Sequence, residues 1–249
     1  MNRLKGRVAW VTGAGTGIGR GIALALAGEG VDLILSGRRT QPLEEVAEQV
    51  NKIGQKVVVA PLDVTDRDQV NRVAEQSAAE LGRISLLVNN AGANTTNRTV
   101  TEMAPEDWDR VVDINLTGAF NCFRGVYPQM KEHGDSMVIN IASMAGRQVS
   151  LLGGAAYCAS KHGMVSLTQS INLEAADLGI RASVILPGEV DTPILAVRPQ
   201  PVSEKRQSLM LKPEDLGETV VFVANMPTHV SIPEMWIMPT YQVSGTPLP

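Results

Sequence analysis

The sequence predicts an α/β fold, in which one doubly wound parallel sheet of about seven strands is flanked by helices. Short β-branched runs alternate with longer amphipathic stretches along the chain, which is the pattern of repeated strand–helix units. No Ser/Gly-rich linker, internal repeat or low-complexity tract divides the 249 residues. We therefore expect a single domain over residues 1–249.

The predicted strands are short apolar runs, and the predicted helices are the amphipathic stretches between them. The strands fall at residues 7–11, 32–36, 56–62, 84–89, 136–142, 181–186 and 235–238. The helices fall at residues 18–28, 42–53, 67–81, 105–131, 156–178 and 213–226. An irregular insertion at residues 188–211, with Pro193, Pro199 and Pro201, is long for a connection, and we expect it to be a substrate lid.

The composition and net charge of the chain argue against several classes of function. Apolar residues make up 44% of the chain and charged residues 19%, with a formal net charge of −4, which favours neither disorder nor a nucleic-acid-binding surface. The two cysteines, Cys122 and Cys158, are too few for a disulfide framework and fit a reducing compartment as packing residues. No signal peptide, membrane-spanning run or metal-ligand spacing of histidines is seen, so we expect a cytoplasmic protein without a metal.

The stretch TGAGTGIG, residues 12–19, follows the first predicted strand and opens the first predicted helix. In this setting, backbone amides at a helix N-terminus can hold a pyrophosphate. Gly13 would permit the tight turn, Gly17 the close approach of a phosphate, and Gly19 the packing of helix on strand. A plain turn between two core elements is the alternative for this stretch taken alone.

Further motifs follow in order. The turn has the spacing T-G-x-x-x-G-x-G, NNAG ends the fourth strand at residues 89–92, and YCASK occupies residues 157–161. Ser143 closes the fifth strand, Asn115 lies in DINLTGAF, and Pro187-Gly188 is followed by Thr192. From about residue 3 to residue 226 the chain thus resembles the classical short-chain dehydrogenase/reductase family. The resemblance implies a Rossmann-type fold, a nicotinamide cofactor and the interconversion of a carbonyl and a secondary alcohol.

The chemistry of the motif residues supports such a reaction. Tyr157 and Lys161 stand four positions apart, so in a helix they share one face. A phenol titrates near ~10, and we expect the neighbouring ammonium to lower that value. Ser143 can donate to a substrate carbonyl oxygen. The resemblance implies that Tyr157 is the general acid/base, that Lys161 also binds the nicotinamide ribose, and that Asn115 fixes a water linked to Lys161.

A larger set of residues is expected to bind the cofactor, because they belong to these motifs or end the strands beside them. Besides Tyr157 and Lys161, the set is Gly13, Thr16, Gly17, Ile18, Gly19, Ser36, Arg38, Arg39, Asp63, Val64, Asn90, Ala91, Gly92, Pro187, Gly188, Val190 and Thr192. Asp63 would accept from the adenine amine; an exposed turn aspartate is its alternative.

Cofactor preference is predicted from LSGRR at residues 35–39. A carboxylate at the end of the second strand would favour NAD, but Gly37 stands there and Arg38 follows it. Because a guanidinium holds a phosphate through paired hydrogen bonds, we predict NADP(H) over NAD(H), with Arg38 as the main contact and Ser36 and Arg39 as secondary ones. Thr16 stands where many NADPH-using relatives have a second basic residue, and NAD(H) use and a merely solvated Arg38–Arg39 turn remain alternatives.

Two other functions remain open. A non-catalytic dinucleotide-binding sensor or scaffold would keep the fold without turnover, although it would be expected to lose the catalytic set. A dehydratase or epimerase on the same scaffold usually needs a longer chain. Substrate choice is expected to depend on residues 93–98, 144–152 and 188–211, whose side chains are mostly small or apolar with few fixed charges. Residues 234–249 depart from the family's usual glycine-containing ending.

An apolar stripe in the long fourth predicted helix has two interpretations. It runs through Val111, Val112, Ile114, Leu116, Phe120, Phe123 and Val126 and exceeds what one face against a sheet requires. It is either core or, with the helix that carries Tyr157, the subunit interface of the homodimer or homotetramer that the resemblance implies.

Overall fold

Seven parallel strands form one sheet in the computed structural model, which describes residues 2–243. The strands are β1 (Val8–Thr12), β2 (Asp32–Gly37), β3 (Val57–Pro61), β4 (Ile84–Asn89), β5 (Ser136–Ile141), β6 (Ile180–Pro187) and β7 (Glu234–Ile237). Their order is β3-β2-β1-β4-β5-β6-β7. The predicted doubly wound α/β fold is confirmed, and each predicted strand is found at its place.

The order of the strands fixes where a ligand can bind. The chain runs outward from β1 to β3 and then returns to place β4 on the other side of β1. At such a reversal the connections leave in opposite directions, so a crevice opens beyond the carboxyl ends of the strands. The glycine turn after β1 and the NNAG segment at the end of β4 meet at this crevice.

Helices cover both faces of the sheet and enclose an apolar core on each face. They are α1 (Gly17–Gly28), α2 (Thr40–Ile53), α3 (Arg67–Leu81), α4 (Pro105–Val112), α5 (Gly118–His133), α6 (Ala155–Ala175), α7 (Glu204–Ser208), α8 (Pro213–Ala224) and α9 (Thr240–Val243). Because side chains alternate along a strand, Ala9 and Val11 belong to the core under α1, α2 and α8, while Trp10 belongs to the core under α3, α5 and α6. Both faces are buried, which explains the nearly continuous apolar strands.

Two predicted segments differ from the structure. The predicted helix at residues 105–131 is interrupted by a π-helical stretch, Asp113–Thr117, between α4 and α5. Its apolar periodicity continues across the interruption, so the pattern did not reveal it. The insertion at residues 188–211 is not wholly irregular, because it contains a 3₁₀ stretch at Pro193–Val197 and the short helix α7.

Three further expectations concern the two cysteines, membrane-spanning helices and the C-terminal segment. Cys122 and Cys158 are buried and free, as predicted for packing residues. In the part of the chain that the structure describes, none of the helices combines the length and apolarity needed to span a bilayer. The atypical C-terminal segment is described as far as Val243, and residues 244–249 lie outside the described residues.

Candidate active site

A cleft of about 650 Å³ lies beyond the carboxyl ends of the strands. Most predicted site residues line it: Gly13, Thr16, Gly17, Ile18, Arg38, Arg39, Asp63, Val64, Asn90, Ala91, Gly92, Ser143, Tyr157, Lys161, Pro187, Gly188, Val190 and Thr192. Asn115, Gly19 and Ser36 stand behind this lining. Residues predicted from seven separate stretches of sequence are therefore brought to one cleft.

Three positions of the glycine turn, Gly13, Gly17 and Gly19, disfavour any residue with a side chain. Gly13 and Gly17 have φ of +62° and +52°, in the left-handed region that glycine adopts without strain. A Cβ on Gly19 would lie 2.2 Å from the carbonyl oxygen of Gly13, so α1 can begin this close to β1 only with glycine there. The Asn90 amide donates to the carbonyl oxygens of Thr12 and Gly13 and holds the turn against β4.

At the end of β2, two exposed arginines border the cleft. Arg38 and Arg39 both line it, and neither has a hydrogen bond or ion pair with another described residue through its side chain. Ser36 differs from its prediction as a phosphate contact. Its hydroxyl is buried and accepts a hydrogen bond from the Trp10 indole at 2.9 Å, because this strand position faces the core.

The end of β3 presents a carboxylate held by its own turn. Oδ1 of Asp63 accepts from both the backbone N–H and the hydroxyl of Thr65. Asp63 and Val64 line the same end of the cleft as Arg38. This carboxylate is therefore fixed in place beside the predicted cofactor loop rather than being freely solvated.

Tyr157 lies at the opposite end of the cleft, in the first turn of α6. Its hydroxyl hydrogen bonds with Ser143, which follows β5. Burial raises the pKa of Tyr157, and the Ser143 hydrogen bond and the charge of Arg98 only partly oppose this effect. The expected net lowering of this pKa by the Lys161 ammonium is therefore not found, because burial outweighs the hydrogen bond and the charge that oppose it.

Lys161 is buried one helical turn beyond Tyr157. Its Nζ lies 5.6 Å from the centroid of the Tyr157 ring and donates to the carbonyl oxygen of Ile141 at 2.8 Å. Burial lowers the pKa of Lys161 to about 7. The amine of Lys161 therefore lies on the same helix face as the Tyr157 phenol, as the spacing predicted. Burial makes its charged form less favourable at neutral pH than in water.

Asn115 lies in the π-helical stretch and is fully buried. Its Oδ1 accepts from the Ala93 N–H at 2.7 Å, and its Nδ2 donates to the Ala93 carbonyl and the Ser160 hydroxyl. The side chain thus fixes the backbone just after NNAG. A Cβ on Gly92 would lie within 4 Å of both Asn115 Oδ1 and Lys161 Nζ, so the two side chains flank one point of the cleft wall.

The segment at residues 188–211 begins against the glycine turn. A Cβ on Gly17 would lie 3.1 Å from Cγ2 of Thr192, and one on Gly188 would lie 2.3 Å from Oε1 of Gln242. The backbone N–H of Glu189 donates to the same Oε1 at 2.8 Å. The C-terminal segment, which the resemblance did not cover, therefore forms part of the cleft wall.

Charged side chains that the sequence did not single out also line the catalytic end. They are Arg98, Glu189, Arg198 and Arg206. Arg98 donates to the carbonyl oxygens of Thr95, Leu152 and Val197 and so ties together three loops. The expectation of few fixed charges around the substrate is wrong, since long-range contacts turn these side chains inward.

Comparison with known proteins agrees with this geometry. The family model described as short chain dehydrogenase matches residues 7–202. An uncharacterized oxidoreductase of Staphylococcus saprophyticus is 35% identical over 240 residues, covering 96% of this chain and 100% of that protein. A solved alcohol dehydrogenase from the archaeon Thermococcus sibiricus, complexed with 5-hydroxy-NADP, has a TM-score of 0.86 at 27% identity, covering 95% of this chain and 97% of that one. A metagenomic short-chain oxidoreductase in complex with NADP has a TM-score of 0.82 at 30% identity, covering 95% and 98%. The chain belongs to the short-chain dehydrogenase/reductase family.

Proposed function

We propose that this protein is an NADP(H)-preferring oxidoreductase that interconverts a carbonyl and a secondary alcohol. The observation that carries the proposal is the contact between the Tyr157 hydroxyl and Ser143 at one end of the cleft, with Lys161 Nζ 5.6 Å from the same ring. The glycine turn lies in the same cleft. A proton donor and a dinucleotide site in one cleft are what carbonyl reduction requires.

The residues present fit a nicotinamide dinucleotide. The turn at Gly13 and Gly17 keeps backbone N–H groups at the start of α1 clear of side chains, as a pyrophosphate needs. When bound, the cofactor supplies the hydride for the carbonyl carbon, or accepts it in the reverse reaction. The NADP-type ligands of two solved family members support this choice. Asp63 is proposed to face the adenine end.

The preference for NADP(H) is supported by the charges at the end of β2. Gly37 removes the carboxylate that would accept from a ribose 2′-hydroxyl, and Arg38 and Arg39 border the cleft. Their guanidinium groups suit a 2′-phosphate. Ser36 is left out of this contact because its hydroxyl is bonded to Trp10.

Proton transfer is assigned to Tyr157. As the substrate oxygen gains negative charge, the phenol donates its proton and the Ser143 hydroxyl donates a hydrogen bond. Because burial raises its pKa, the phenol is protonated at neutral pH and ready to act as an acid. Lys161 and Arg98 favour the phenolate that remains. Asn115 is proposed to position the backbone at Ala93, and a water between it and Lys161 stays a prediction.

We propose one domain over residues 1–249 in which residues 188–211 act as a lid, supported by the contact of Arg98 with the Val197 carbonyl. A homodimer or homotetramer is supported by apolar side chains that stay exposed on α4, α5 and α6: Trp108, Phe120 and Leu173. Of the predicted apolar stripe, Phe120 is exposed, whereas Val111 and Val126 belong to the core. A cytoplasmic location without nucleic-acid or membrane partners stays a prediction.

The test is a panel of aldehydes, ketones and secondary alcohols, followed by NAD(P)H absorbance with both cofactors. We expect turnover of at least one carbonyl–alcohol pair, with higher kcat/KM for NADPH than for NADH. Cofactor binding without any turnover would favour the sensor or scaffold. Higher kcat/KM with NADH would refute the cofactor preference alone.

A further inference from the structure

Three arginines surround the catalytic end of the cleft. Arg98 comes from the loop after β4, and Arg198 and Arg206 come from the lid segment. All three line the cleft that contains Tyr157. Among the described residues, Glu189 is the one carboxylate in the lining at this end, because Asp63 lies beside Arg38 at the other end. Three guanidinium groups therefore stand at an end of the cleft that has a single carboxylate in its lining.

Both carboxylate oxygens of Glu189 already have hydrogen-bond or ion-pair partners. Arg206 binds it with two parallel hydrogen bonds, Nε to Oε2 at 2.9 Å and Nη2 to Oε1 at 2.7 Å. The Tyr241 hydroxyl donates to Oε2, and Arg198 Nη2 lies 2.8 Å from Oε1. Although burial raises the pKa of Glu189, these partners outweigh it and hold that pKa below its usual value. Glu189 and Arg206 thus form a complete ion pair, which leaves the charge of Arg198 in excess.

Arg98 has no acidic partner at all within residues 2–243. Its side chain is buried, with 5% of the residue exposed, and its three nitrogens donate to backbone carbonyls. Carbonyl oxygens satisfy its hydrogen bonds but do not neutralise its charge. Burial lowers the pKa of Arg98, and repulsion from Arg198 lowers it further. A guanidinium nevertheless stays protonated in proteins, so the positive charge persists.

An excess of buried positive charge is costly unless an anion compensates it. Of the two lid arginines, Arg198 is the better placed to bind one, because it uses a single nitrogen on Glu189 while Arg206 uses its whole fork. The free edge of a guanidinium matches a carboxylate through paired hydrogen bonds. The cleft of about 650 Å³ must also hold the cofactor, which favours a small anion.

We propose that the substrate is a carbonyl compound bearing a carboxylate, an oxo acid or the corresponding hydroxy acid, whose carboxylate pairs with Arg198 in the field of Arg98. This inference rests on the proposed function, since it concerns the substrate of the same site. The carboxylate takes no part in bond making. It holds the substrate so that the carbonyl oxygen reaches Tyr157 and Ser143.

The first experiment compares oxo acids with their methyl esters. Because the distance between carboxylate and carbonyl is not fixed in advance, the probes are 2-oxobutyrate, acetoacetate and levulinate, each beside its ester, with saturating NADPH. We expect at least one acid to exceed its ester in kcat/KM by about tenfold or more, as follows from roughly 1.5–3 kcal/mol for a hydrogen bond to a charged group. Esters that equal or exceed their acids throughout would overturn the inference.

The second experiment removes the proposed contact. Arg198→Met should bring the acid-to-ester ratio towards one, while Arg198→Lys should keep part of it. Glu189 retains Arg206 and Tyr241 in both variants, so its charge is not left unpaired. Arg110→Met is the matched control, because Arg110 forms a surface ion pair with Asp107 and does not line the cleft. An unchanged ratio in Arg198→Met, or an equal loss in Arg110→Met, would contradict the assignment.

A binding measurement separates this inference from the proposed function. Calorimetric titration of the protein–NADP⁺ complex with levulinate and with methyl levulinate involves no turnover. Arg198-dependent binding of levulinate without any turnover would support the anion site and refute the oxidoreductase. Turnover of neutral carbonyls with no preference for any of the three acids would uphold the oxidoreductase and overturn the anion site.

Discussion

The two ends of the cleft are built by different means. At the cofactor end, glycine backbone and short motifs create the site, as at Gly13 and Gly17. At the substrate end, the site consists of long side chains brought together from distant positions, such as Arg98 with Val197 and Glu189 with Tyr241. Backbone shape follows from local residue type, whereas a cluster of long side chains depends on tertiary contacts. The first end can thus be found in a sequence by pattern, and the second requires the fold.

The largest expected loss of activity comes from Tyr157, at the substrate end of the cleft. Tyr157→Phe removes only the hydroxyl that contacts Ser143. Loss of a general acid lowers kcat by about 10²–10⁴-fold. We expect that loss in steady-state assays, with the Kd for NADPH and the Tm nearly unchanged. Near wild-type kcat would remove Tyr157 from the proton-transfer step.

A smaller effect is expected at the cofactor end. Arg38→Ala should raise the KM for NADPH by about 10- to 100-fold, the equivalent of roughly 1.5–3 kcal/mol for a hydrogen bond to a charged group. The KM for NADH should change little, because NADH lacks the 2′-phosphate. Lys56→Ala is a suitable control, since Lys56 is an exposed cation at the opposite end of β3. If both cofactors lose affinity equally in Arg38→Ala, the arginine does not read the phosphate.

The dependence of stability on pH tests the buried ammonium between the two ends. Because the pKa of Lys161 is about 7 in the folded state and ordinarily 10.5, the unfolded chain binds more protons between these values. The penalty for burying this charge is complete below pH ~7 and disappears as pH rises towards ~10.5. Relative to Lys161→Met, the wild-type protein without cofactor should therefore gain Tm by a few degrees from pH 7 to pH 10. A pH-independent difference in Tm would contradict a lowered pKa.

The smallest expected effect concerns the proposed lid, residues 188–211, at the substrate end of the cleft. Lys205 and Arg206 are tryptic sites in α7, and Arg206 is tied to Glu189. Cleavage there requires local opening, which bound ligands should oppose. We expect severalfold slower cleavage with NADP⁺ and levulinate than without them. Equal rates would argue against a lid.

The difference between the two ends of the cleft also shows which features could be predicted from the sequence. The seven strands, the glycine turn and the grouping of Tyr157 with Ser143 and Lys161 followed from periodicity and motif. The π-helical stretch at Asn115 did not, because its apolar pattern matches that of an uninterrupted helix.

The positions of individual side chains were harder to predict, because they depend on residues that are distant in the sequence. An arginine in a loop is usually solvated, and nothing local to Arg98 indicates burial. Its carbonyl partner at Val197 is 99 residues away. Ser36 was placed in the cofactor site by its strand position, but the side chain faces Trp10 in the core. Both outcomes depend on which neighbours the fold supplies.

The most direct test of the central claim is a fluorescence titration of the purified wild-type protein with NADPH and with NADH. If the glycine turn and Arg38 form the cofactor end of the cleft, NADPH should bind saturably and with the lower Kd. Binding of neither cofactor would contradict the account of both ends, because the proposed chemistry at Tyr157 depends on a nicotinamide held in this cleft.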